Sequence, residues 1–129
     1  MEGGIVQAGF SWIITPYDGA AVLSLSGELD IATAAELRHC MAEATASVHP
    51  PKVVVDLKAV GFCDSSGLSV LLTALSGAEA AGGVLVLSEV HPRIKRVLSV
   101  TGLHKRFQVY DTVQEAVTAL PEPVTSEVP

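Results

Sequence analysis

Three features of the sequence predict an α/β fold with a mostly parallel central sheet of about five strands, an N-terminal hairpin at one edge and about four helices. Strand and helix signals alternate along most of the chain in the order β-β-α-β-α-β-α-β-α, the pattern of right-handed crossovers onto a parallel sheet. Val53-Val54-Val55-Asp56-Leu57 is nearly continuously apolar and β-branched, as a strand covered on both faces requires. Hydrophobic residues make up 49% of the 129 residues but aromatics only 5%, so the core must be aliphatic, and one domain is expected.

The elements follow in order. Trp12 to Thr15 and Ala20 to Ser26 are apolar runs flanking Pro16-Tyr17-Asp18-Gly19, whose Pro and Gly favour reversal and a hairpin. Thr33-Ala34-Ala35-Glu36 has the form of a capping box, which predicts a helix to about Ser47. Leu37, Cys40, Met41 and Ala44 make its buried stripe, and His49-Pro50-Pro51 stops it. The strand at Val53 to Leu57 comes next, and after a short connection Val60-Gly61-Phe62-Cys63 leads into Asp64-Ser65-Ser66-Gly67. Leu68, Leu71, Leu72 and Leu75 mark the following helix, which Ala81-Gly82-Gly83 closes. Val84 to Leu87 is another buried strand, and Pro92 suits the first turn of a third helix with Ile94, Val97 and Leu98 facing inward. Gly102 is placed to end it in a left-handed conformation. Phe107 to Tyr110 reads as a short strand, and Asp111 with Gln114 as the cap of a last helix.

Residues 1–11 are Gly-containing and aperiodic, and residues 121–129 carry three prolines, so both ends are expected to be flexible around a domain at 12–120. Fourteen acidic against eight basic residues give a net charge of -6 and a pI near 5.0. That balance argues against nucleic acid and anionic lipid, which need clustered Lys and Arg, and favours a basic or polar partner surface. Cys40 and Cys63 show no ligand spacing and read as reduced core thiols of a cytoplasmic protein. The start lacks a secretory pattern, and no apolar run reaches the ~18 residues of a membrane span, so direct membrane insertion is not expected.

Catalytic constellations are missing. Asp64-Ser65-Ser66-Gly67 does not make a nucleophile elbow, the histidines at 39, 49, 91 and 104 are dispersed, and no Gly-Lys-Ser/Thr follows a strand. No enzyme activity, cofactor or metal is expected. The remaining peculiarity is a pair of serines at a helix entrance. Either a serine or Asp64 could cap the helix, and an exposed hydroxyl there suits a phosphate, because free N–H groups and the positive end of the dipole favour an anion.

Leu25-Ser26-Gly27-Glu28-Leu29-Asp30 with Thr33, then Val54-Val55-Asp56-Leu57 leading into Asp64-Ser65-Ser66-Gly67-Leu68, resembles a bacterial anti-sigma factor antagonist, a STAS domain. Pro92-Arg93-Ile94-Lys95-Arg96-Val97-Leu98 with Thr101-Gly102-Leu103 extends the resemblance over about Trp12 to Leu120. The resemblance implies a binder rather than an enzyme. Its partner would be an anti-sigma factor that is itself a serine kinase with a histidine-kinase-like ATPase domain. Binding would release a sigma factor, and a serine phosphatase would reset the switch.

By the same resemblance Ser65, directly after the Asp, is the phosphorylated residue, with Ser66 as the runner-up. Partner contacts are expected from Asp30, Asp64, Ser65, Ser66, Gly67 and Ser69, with Thr73 bordering the face. For Glu28 a simple role near a helix dipole is expected, whereas for Asp30 that role stands beside partner or kinase contact. Ser69 and Cys63 depart from the small or aliphatic residues common at those positions, and strand-end packing is expected for Cys63. Lys95, Arg96, Lys105 and Arg106 read as a solvated face. Two other readings compete: a STAS docking subunit of a membrane lipid or anion transport assembly, and a small nucleotide sensor, for which no phosphate loop is present.

Overall fold

In a computed structural model the described residues are 2–7 and 9–120, with the backbone alone for 2–7. Six strands form one sheet in chain order: β1 (Glu2–Gln7), β2 (Phe10–Tyr17), β3 (Ala20–Leu29), β4 (Lys52–Cys63), β5 (Val84–Ser88) and β6 (Val109–Tyr110). β1, β2 and β3 pair antiparallel, and β3 to β6 pair parallel. The connecting helices are α1 (Ala34–Ala46), α2 (Ser65–Ala80), α3 (Pro92–Thr101) and α4 (Val113–Ala119), with a 3-10 turn at Leu103–Lys105.

β1 falls within the stretch 1–11 expected to be flexible. Glu2 to Ile5 pair opposite Ile14 to Ser11, and β2 starts at Phe10, which is buried. Backbone hydrogen bonds to β2 hold an edge strand without any side-chain alternation, so sequence periodicity does not reveal it. The expected flexible tail at 121–129 lies outside the described residues.

The hairpin turns on two residues instead of four. Tyr17 pairs with Ala20, and Asp18 and Gly19 have φ of 49° and 83°. Such a loop needs positive φ at both positions to match the twist of the strands, which is why Asp-Gly serves. Pro16 and Tyr17 belong to β2. The two pieces read at Val53 to Leu57 and Val60 to Cys63 are one strand: the register against β3 slips between Ser24 and Ser26 and again between Gly27 and Glu28. Each slip absorbs an extra β4 residue as a bulge. β5 pairs only with Lys52 to Asp56, so β4 runs on past it and carries Phe62 and Cys63 beyond the end of β5.

Alternation along the strands sorts the core. Leu23, Leu25, Val53, Val55, Leu57, Leu85 and Leu87 pack with the stripes of α1, α2 and α3, whereas Val22, Val54 and Val86 meet Ala116, Val117 and Leu120 around α4. The α1 stripe is the expected Leu37, Cys40, Met41 and Ala44, joined by Ala34. Gly102 has φ of 79° at the end of α3, as expected. β6 is shorter than the run at Phe107 to Tyr110, and Phe107 is instead buried in the core ahead of it.

The cap of α4 is Thr112, not Asp111. Its hydroxyl accepts the Glu115 N–H at 3.0 Å, while Asp111 faces Lys95 at 3.7 Å. A hydroxyl cap is worth about 1 kcal/mol and an exposed ion pair at most about 1 kcal/mol, typically less. Urea unfolding should therefore show Thr112→Ala destabilised by about 1 kcal/mol and Asp111→Ala by less than about 0.5 kcal/mol. The reverse ranking would return the cap to Asp111.

Candidate functional site

Because β3, β4 and β5 are parallel, the loops leading into α1, α2 and α3 emerge at one end of the sheet, where open α/β sheets present their binding sites. Two of these loops are tied directly: the Asp64 N–H donates to the Leu29 carbonyl at 2.9 Å. Asp30 and the Asp64-Ser65-Ser66 segment are thereby held side by side.

Asp64 settles the question of the cap. Its Oδ1 accepts the N–H groups of Ser66 at 2.8 Å and Gly67 at 3.2 Å, so the helix takes its cap from the carboxylate and from neither serine. Ser65 is the first helical residue and is exposed; Ser66 is half-buried. Ser69 and Thr73, one and two turns along α2 from Ser65, are also exposed on the same face of the helix.

Gly67 is buried, and a Cβ there would lie 2.6 Å from the Leu29 carbonyl oxygen and 3.0 Å from Cys63 Sγ. A residue in that position lets α2 sit close to the ends of β3 and β4. Its close packing sets where Ser65 stands.

Around α1 the expected capping box does not form. Thr33, 4% exposed, donates its hydroxyl to the Glu28 carbonyl at 2.8 Å and accepts the Asp30 N–H at 3.0 Å. Glu36 accepts the Trp12 indole N–H at 2.9 Å, so neither partner of the box is free for the other. Asp30 takes over at the loop: its Oδ1 accepts the N–H groups of Ala32 at 3.0 Å and Thr33 at 3.2 Å. The carboxylate thus braces its own loop, and Glu28 is exposed beside it.

A cavity of about 580 Å³ opens next to these loops, with Glu28, Asp30, Thr33, Phe62 and Arg93 among its walls. Phe62 and Ile31 were not singled out as site residues from the sequence, yet both are exposed at this end of the sheet. Period two gives no signal for Phe62, because the bulge between Val60 and Phe62 breaks the alternation and leaves Gly61 and Phe62 both exposed between buried Val60 and Cys63. Arg93 follows from the position of Pro92 at the start of α3. The remaining cations suit a solvated face: Lys95 meets Asp111, and Arg106 grips Glu79 at 3.1 Å.

Cys63 packs under Gly67, its Sγ donating weakly to the Asp64 carbonyl at 3.7 Å. Burial, and then the Asp64 charge, push its thiol up to about 12. Cys40 is likewise pushed up to about 12 by burial and then by Glu36. Raised values favour the thiol in the folded state. Their stabilisation is complete below about pH 9, where the unfolded thiols are also protonated, and is lost as pH rises toward 12. Urea midpoints should therefore fall from pH 9 upward, less steeply in Cys63→Ala, and iodoacetamide should leave both thiols unmodified at pH 7.5 in the native protein. Fast labelling of Cys63 at that pH would show that its thiol is accessible and that its packing under Gly67 is wrong.

Among the described residues, no group of three His, Cys, Asp or Glu could hold a metal ion, and no helix is long and apolar enough to cross a membrane. The family model of the STAS domain matches residues 11–116. The chain is 36% identical over 102 residues to an anti-sigma F factor antagonist of Paenibacillus polymyxa, covering 79% of this chain and 87% of that one. It is 34% identical over 109 residues to the anti-sigma-F factor antagonist RsfB of Mycobacterium tuberculosis, covering 83% and 86%. Among solved structures, an anti-sigma factor antagonist from Mycobacterium paratuberculosis superposes with a TM-score of 0.78 at 33% identity, covering 88% of this chain and 95% of the other.

Proposed function

The chain belongs to the STAS domain family, and from its likeness to anti-sigma factor antagonists we propose that it binds an anti-sigma factor, so releasing a sigma factor, and is switched off by phosphorylation of Ser65. The observation that carries this reading is the division of labour at the start of α2. Asp64 satisfies the helix N-terminus, which leaves the exposed Ser65 hydroxyl with no structural duty. A hydroxyl that the fold does not need is available both to a partner and to a kinase.

The proposed modification is a transfer of the γ-phosphoryl group of ATP to Ser65 Oγ, with loss of the hydroxyl proton and release of ADP. The anti-sigma factor itself, carrying a histidine-kinase-like ATPase domain, is the proposed kinase, and a serine phosphatase hydrolyses the ester to restore binding. The chain is substrate and ligand in this cycle and supplies no catalytic group. Ser66 is the weaker acceptor, since it is half-buried and its N–H is held by Asp64.

Incubation with purified anti-sigma kinase and ATP, read by intact mass, tests the assignment. Wild type and Ser66→Ala should gain one phosphoryl group and Ser65→Ala none. Retention of the modification in Ser65→Ala, with its loss in Ser66→Ala, would transfer the site to Ser66.

A further inference from the structure

The reading above uses the serine and the carboxylates but gives no task to two large apolar side chains beside them. Ile31 is 79% exposed and Phe62 43% exposed. Both are fixed in place: Asp30 and Thr33 brace the loop that holds Ile31. Phe62 pairs in register with Glu28, one residue before the Leu29 and Cys63 pair. The bond from Asp64 N–H to the Leu29 carbonyl locks the two loops together. Rigid apolar groups held in water at a surface mark interaction sites, because their burial releases solvent at little entropic cost.

We propose that Ile31 and Phe62 are the apolar anchors of the docking surface, and that Phe62 borders the cavity into which the anti-sigma factor inserts an aliphatic or aromatic side chain from a segment that also carries basic residues. The inference rests on the function proposed above and adds its recognition chemistry. Charge decides the occupant. Glu28 and Asp30 share the cavity wall with Phe62, Asp64 stands at the adjoining loop, and the chain carries a net charge of -6. Among the described residues, Arg93 is the one opposing charge on that wall. A basic segment is attracted to such a rim, whereas an anionic lipid surface is repelled and a second copy of this chain would set the same carboxylates against each other.

Val100 provides a matched control, since it is 80% exposed but lies near the far end of α3. Titration calorimetry of wild type, Ile31→Ser, Phe62→Ala and Val100→Ser against each purified histidine-kinase-like anti-sigma factor of the same organism tests the proposal. Thermal unfolding is run on each variant, and sedimentation on each chain alone. Burial of one large aliphatic or aromatic side chain supports a loss of about tenfold or more in affinity. The expected result is one partner bound by wild type and Val100→Ser alike, and at least about tenfold more weakly by the folded Ile31→Ser and Phe62→Ala. Binding within twofold of wild type in both site variants would overturn the anchors while leaving the proposed function standing. So would a self-association that Ile31→Ser abolishes, which would make a second copy the occupant. Failure of wild type to bind any of these partners would overturn the proposed function instead.

Discussion

Gly67→Ala is expected to destabilise the protein by about 3 kcal/mol, near the upper end of what overpacking usually costs, although alanine is the better helix former by about 1 kcal/mol. The sign follows from what the new methyl group would meet. It would lie 2.6 Å from the Leu29 carbonyl oxygen and 2.7 Å from Leu29 Cβ. That carbonyl is backbone, fixed in β3 and already accepting the Asp64 N–H, so it cannot swing aside as a long side chain could. Relief requires α2 to lift from the strand ends, stretching the bond that joins the two loops and moving Ser65. Gly77 in the same helix is the internal control. Nothing lies within 4 Å of a Cβ built there, and Gly77→Ala should stabilise the protein by about 0.5–1 kcal/mol through helix propensity alone. Urea unfolding of the two variants therefore gives midpoints displaced in opposite directions from wild type. Midpoints raised in both would show that the close approach of α2 to β3 is wrong.

The contrast between these two glycines also marks where sequence reasoning stops. The helix carrying both was legible from the spacing of Leu68, Leu71 and Leu75, all buried, because burial of a stripe follows directly from the 3.6-residue period. Which glycine touches another element was not legible, since that depends on how closely two segments far apart in sequence approach. The same limit explains the N-termini of α1 and α4. Thr33-x-x-Glu36 has the form of a capping box, yet tertiary partners claim both groups, Thr33 by the strand end at Glu28 and Glu36 by Trp12. At α4 the cap fell one residue later than expected, on Thr112, with Asp111 beside Lys95 from another helix. Within the site, the motif Asp64-Ser65-Ser66-Gly67 was readable as a helix entrance, but the separate duties of its members were not. Asp64 caps, Gly67 packs and Ser65 is left exposed. Ile31 and Phe62 escaped notice because exposure of an apolar residue at a strand end is decided by what covers it, and sequence patterning is silent on that.

Phosphorylation of Ser65 is expected to weaken binding of the anti-sigma factor about a thousandfold, or about 4 kcal/mol. A phosphate adds about -1.5 to -2 charge at the first residue of α2. A helix N-terminus would ordinarily welcome it, but here the Ser66 and Gly67 N–H groups already donate to Asp64. The added charge is therefore set beside an existing carboxylate, with the second and third donors of the helix occupied, at an exposed position. In solution, water and salt screen it and the fold tolerates it. In a closed interface the screening is gone, and the unpaired charge must be desolvated next to Asp64 and near Asp30. Ser65→Asp carries one charge on a shorter side chain and should weaken binding less than the phosphate does, by about 10- to 100-fold, while Ser65→Ala stays within a few-fold of wild type. Raising the salt from 0.05 to 0.5 M should narrow the gap between the phosphorylated and free proteins if charge at the rim dominates, because screening shortens to a few ångströms. Calorimetry with the phosphorylated chain, alongside urea unfolding to show stability unchanged within about 0.5 kcal/mol as for other exposed surface changes, decides the matter. Equal affinity of the two forms would remove the switch from Ser65. A loss of affinity accompanied by an equal loss of stability would instead mean that the phosphate acts by disturbing the cap of α2.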